Sequence, residues 1–99
     1  MAHWLLRYTL APDYLARRGA FRSDHLALAW AASGRGELVL GGAVGDPVES
    51  ALLLFTDENA ARAFAQADPY VSEGLVRDWA VLPWATVVGN DAASPVRPD

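Results

Sequence analysis

The segment Ala51-Leu52-Leu53-Leu54-Phe55 constrains this chain more than any other. Five consecutive apolar residues are too few for a core helix and suit a strand, whose successive side chains point to opposite faces. Such a strand belongs inside a sheet, with cover needed on both sides. In 99 residues there are only two helical stretches to supply that cover.

The rest of the chain arranges itself around that strand. His3 to Leu10 alternates, with Trp4, Leu6, Tyr8 and Leu10 on one face and His3, Leu5, Arg7 and Thr9 on the other, which predicts a strand with one strongly apolar side. Ala11-Pro12-Asp13 breaks it. Tyr14 to Ser33 reads as a helix, with an irregularity marked at Gly19 and an apolar stripe of Leu26, Ala27, Trp30 and Ala31. Gly34-Arg35-Gly36 stops it. Glu37 to Val44 is a second strand containing Gly41-Gly42, Gly45 to Glu49 is a turn, and Ala51 to Phe55 is the third strand. Thr56 or Asp57 caps a second helix over Asn59 to Ala67, with Asp57 and Glu58 placed well against its dipole. Asp68-Pro69 closes that helix and begins a short turn ending at Gly74. Val76 to Leu82 is the fourth strand, followed by Pro83-Trp84. From Gly89 the composition turns to Asn, Asp, Ala, Ser and Pro. Residues 1–88 are therefore expected to form a single domain, and 89–99 a loose tail.

The order β-α-β-β-α-β predicts an α+β, ferredoxin-like fold, a four-stranded antiparallel sheet with both helices on one face. The opposite face is apolar and bare, so a second copy is expected to cover it, giving a homodimer through the open sheet face.

Composition removes several classes of function. Net charge is −4, with eight arginines and no lysine, a poor match to nucleic acid or anionic membranes. RNA-recognition domains share this topology, but their central strand carries a basic-Gly-aromatic pattern that Ser50 to Phe55 lacks. With no cysteine, disulfides and thiolate chemistry are excluded. No apolar run approaches membrane-spanning length, and Met1 to Arg7 lacks the basic segment and long apolar stretch of a signal peptide, so a cytoplasmic protein is expected. His3 and His25 show no metal-ligand spacing, and no metal is expected. Ser23, Ser33 and Ser72 lack a nucleophile-elbow context.

His25 carries what remains. It sits in the first helix seven residues after Arg18 and three after Arg22, and all three fall within roughly 60° of one helical face. Histidine is the side chain best suited to moving protons near neutral pH, and a carboxylate can fix its tautomer. A lone histidine on a helix is, in general, more often a structural residue than a catalytic one. Asp68 has a structural role open to it as well, because Asp before Pro is a preferred helix start. Asp46-Pro47 is the same dipeptide in a hairpin, with no chemistry assigned to it. The two roles are compatible at Asp68, since one carboxylate oxygen can serve each. Gly41-Gly42 marks either a bulge or a pocket floor. Tyr8, Trp30, Tyr70 and Trp79 stand at core spacing and are candidates to line a site.

Arg22-Ser23-Asp24-His25-Leu26, Gly41-Gly42, Asp68-Pro69-Tyr70-Val71-Ser72-Glu73-Gly74-Leu75 and Leu82-Pro83-Trp84 together resemble the YciI-like (YCII-related) family of small dimeric α+β-barrel proteins. The likeness runs from Trp4 to Trp84. It implies a homodimer with facing sheets and an active site built on a His–Asp pair, by position His25 and Asp68. One member type eliminates chloride from a chlorinated aromatic diol. The resulting expectation is a cofactor-independent enzyme that uses this pair for elimination or isomerisation on a small cyclic or aromatic substrate. Arg22 would bind an anionic or enolic oxygen, with Gly42, Tyr70 and Tyr8 as further contacts. The alternative is a non-catalytic dimeric small-molecule binder.

Overall fold

The computed structural model describes residues 2–99. Its elements are β1 (His3–Leu10), α1 (Tyr14–Gly34), β2 (Leu38–Val44), β3 (Ser50–Phe55), α2 (Glu58–Ala67), α3 (Pro69–Ser72) and β4 (Val76–Trp84). The strands form one antiparallel sheet in the order β2-β3-β1-β4. The strand β3, apolar from Ala51 to Phe55, is thus interior, paired on both edges. The α+β arrangement is the one expected, with the turn after Asp68 wound into the short helix α3.

Register assigns each residue to a face. Gly41, Leu53, Leu6 and Val81 form one cross-strand row, and Ala43, Ala51, Tyr8 and Trp79 form the next. These point at the helices, where Leu6, Tyr8, Leu53 and Phe55 meet Ala61, Phe64 and Ala65 of α2 and Tyr14 and Ala32 of α1 in the buried core. Residues one step along the strands face the other way. Leu40, Leu54, Leu5 and Leu82 line up across all four strands, and no helix lies over them.

α1 runs unbroken through Gly19. The stripe read from the sequence is corrected here: Leu26, Ala27, Trp30 and Ala31 are exposed, while Tyr14 and Ala32 are buried and Phe21, Leu28 and Ala29 pack against the core. From Leu26 to Ala32 the helix is apolar on every side, so periodicity does not select its inward face. α2 is capped by Asp57, whose carboxylate accepts from Ala60 N–H at 2.9 Å. Beyond β4 the segment expected as a tail carries hydrogen bonds as far as Val96, whose N–H donates to Val87 O at 2.8 Å. No helix among the described residues is long and apolar enough to cross a membrane.

Candidate active site

Asp68 lies where α2 ends and α3 begins. Pro69 at the first position of α3 cannot continue the hydrogen-bonding of α2, so the backbone turns at Asp68 and its side chain reaches back to accept from Tyr70 N–H at 3.0 Å. That turn delivers the carboxylate into the core, where it is fully buried. Gly74 closes α3 at φ +82°, a conformation that glycine adopts without strain.

Two more donors converge on the same carboxylate. Tyr8, on the inward face of β1, donates its hydroxyl to Asp68 Oδ2 at 2.7 Å. His25, on the inward face of α1, places Nδ1 at 2.9 Å from both Asp68 oxygens. A carboxylate only accepts, so Nδ1 carries the proton in this contact and neutral His25 keeps its lone pair on Nε2. The imidazole is held on two further sides. Tyr70 stacks on it with centroids 3.9 Å apart and planes 8° from parallel, and Phe64 meets it edge-on at 6.1 Å. Burial pushes the Tyr8 phenol far above its usual range, and the charge and hydrogen bond of Asp68 add to the shift, so Tyr8 is a permanent donor.

His25 and Tyr70 open onto a cavity of about 470 Å³ between α1 and the β2–β3 half of the sheet. Its walls include Arg18, Arg22, Leu26 and Trp30 of α1. Tyr8, expected as a substrate contact, lines this space and also holds Asp68. Gly42 contributes to the wall, though by register it faces the leucine side of the sheet. Close approach occurs at Gly41, where a Cβ would stand 3.1 Å from Leu53 Cγ.

Sequence reasoning singled out Tyr70 as a contact without anticipating the state of its hydroxyl. Among the described side chains Tyr70 Oη is buried with no hydrogen-bond partner, an arrangement that costs about 1–3 kcal/mol. Burial pushes the Tyr70 phenol above its usual range, Tyr14 adds to this, Arg22 and Arg18 pull it back, and Asp68 raises it further. Arg18 stands over the Tyr14 ring at 5.6 Å, and Tyr14 meets Tyr70 edge-on at 5.6 Å. Arg18 entered the sequence reading only as a neighbour of His25 on the helix, and the helical face it shares with Arg22 and His25 is the one signal there that could have promoted it.

The family model of the YCII-related domain matches residues 1–85. Among solved structures, a 5-chloro-2-hydroxyhydroquinone dehydrochlorinase from Burkholderia phenoliruptrix, in complex with 2,5-dihydroxybenzoquinone, superposes with a TM-score of 0.67 at 19% identity, covering 85% of this chain and 94% of its own. Among curated proteins no sequence matches.

Proposed function

This chain belongs to the YCII-related domain family, and on that premise we propose that it is a cofactor-independent enzyme performing acid–base chemistry on a small cyclic or aromatic substrate. One observation carries the reading: His25 Nδ1 bonds a buried carboxylate while the ring opens onto a cavity. Asp68 fixes the tautomer and steadies the imidazolium, and Nε2 takes the proton. In an elimination, the electron pair of the broken C–H bond becomes the new π bond, and the leaving group departs with its own pair. In an isomerisation, His25 returns the proton to another atom. Trp30 and Tyr14 offer flat apolar walls to a ring. The similar dehydrochlorinase acts on a hydroxyhydroquinone, which favours phenols and quinones as first substrates to try. The enzyme works as a homodimer, joined through the leucine row on the outer sheet face.

Thermal-shift screening of phenols, quinones and lactones, followed by turnover assays on each hit, tests the reading. His25→Gln is expected to melt within a few degrees of the parent and to lose turnover by about 10²–10⁴-fold. Ligands that bind and are never turned over would leave a binding protein in its place. Undiminished turnover in His25→Gln would remove the histidine from the chemistry.

A further inference from the structure

The cavity differs in charge from the molecule around it. The chain is acidic, at −4, yet the charged residues on the cavity wall are Arg18 and Arg22, with no Asp or Glu beside them. The ion pairs of the described residues engage Arg17, Arg35 and Arg62 but neither of these two. Asp68 lies behind His25, already accepting from three donors. The Tyr70 hydroxyl, on a side chain 3% exposed, finds no acceptor in the protein. Arginine only donates, and a buried phenol without a partner is a donor awaiting an acceptor. One wall of the cavity is therefore a set of donors with no acceptor among the described residues.

We propose that this site takes a substrate bearing a carboxylate on a small ring, held by Arg18, Arg22 and the Tyr70 hydroxyl while the ring lies along Leu26 and Trp30. A guanidinium presents paired N–H groups that match the two oxygens of a carboxylate, which an amide or a neutral phenol does not supply. The volume of about 470 Å³ exceeds what a single-ring acid needs and lies within the usual range for small-ligand sites. Held this way, the ring is presented to His25, and the two cations sit beside the charge left on the substrate when Nε2 removes a proton. The role of His25 rests on the acid–base reading above; the grip on the anion does not.

Calorimetric titration of the whole protein with benzoate, its neutral isostere benzamide and phenyl phosphate tests the proposal. Benzoate is expected to bind saturably, with benzamide at least about tenfold weaker. Arg18→Gln and Arg22→Gln should each weaken benzoate several-fold, and more steeply at low salt than at high salt. Tyr70→Phe should weaken benzoate while melting no lower than the parent, because it removes an orphaned hydroxyl and keeps the stacked ring. A purely structural Tyr70 would show the reverse pattern. Benzamide equal to benzoate, benzoate affinity unchanged in Tyr70→Phe, or phenyl phosphate tighter than benzoate would each overturn the carboxylate assignment. His25→Gln separates the two claims, since it should retain benzoate and lose turnover. A neutral phenol turned over equally by the parent and Tyr70→Phe, with no benzoate binding, would leave the acid–base reading standing and the anion grip refuted.

Discussion

The Tyr8 hydroxyl donates to Asp68 in the closed core, and its pKa is raised by burial first and by the carboxylate second. The sign of the resulting pH dependence is fixed. An unfolded tyrosine loses its proton near pH 10, whereas folded Tyr8 keeps it, so stability falls as pH rises past that point and is present in full below it. Tyr70, also raised, adds to the same alkaline loss. At about pH 7, Tyr8→Phe is expected to cost about 1–3 kcal/mol, because a buried carboxylate loses one of its donors. The gap between variant and parent should shrink by about 1 kcal/mol between pH 10 and 11. Urea unfolding of both proteins at neutral and alkaline pH reads this directly. A gap that stays constant would mean that the hydroxyl titrates as it does in water.

At the scale of elements, two glycines predict opposite outcomes for the same substitution. Gly19 is exposed within α1, and a Cβ built there meets nothing within 4 Å, so Gly19→Ala should stabilise by about 0.5–1 kcal/mol through helix propensity. Gly74 ends α3 at φ +82°, so Gly74→Ala should cost about 1–2 kcal/mol although space for the methyl exists. Equal signs in denaturant unfolding would contradict one of these backbone assignments. The same elements show what the sequence could disclose. The interior place of the third strand followed from Ala51 to Phe55, whose unbroken apolar run demands it, and the apolar face of the first from the clean alternation of His3 to Leu10. The inward face of α1 did not, since Leu26 to Ala32 offers no polar side to orient it. His25 and Asp68 were legible as a pair through the residues surrounding them. The Tyr8–Asp68 bond joins residues sixty positions apart, and the Tyr70 stack on His25 forms only when α3 docks against α1. Neither leaves a local pattern, because both are products of tertiary approach.

At the scale of the whole molecule, the outer face of the sheet sets the prediction. Leu5, Leu54 and Leu82 are half-buried, and Leu40 is 66% exposed at the end of their row. A dimer closing over this row should bury well over ~1,000 Å² in total. Light scattering at micromolar concentration should give twice the chain mass, and Leu54→Arg, at the centre of the face, should give the single mass. A parent that stays monomeric would refute the interface. The position of Asp68 has a further consequence, for how such a chain can change over evolutionary time. One carboxylate ends α2, starts α3, and ties both to β1 and α1. A lineage that abandoned the proposed chemistry could replace His25 by another side chain that donates to the carboxylate, yet would still need Asp68 to fold. Retired descendants of this protein should therefore carry an intact Asp-Pro-Tyr opposite a vanished histidine, and the reverse combination should not survive.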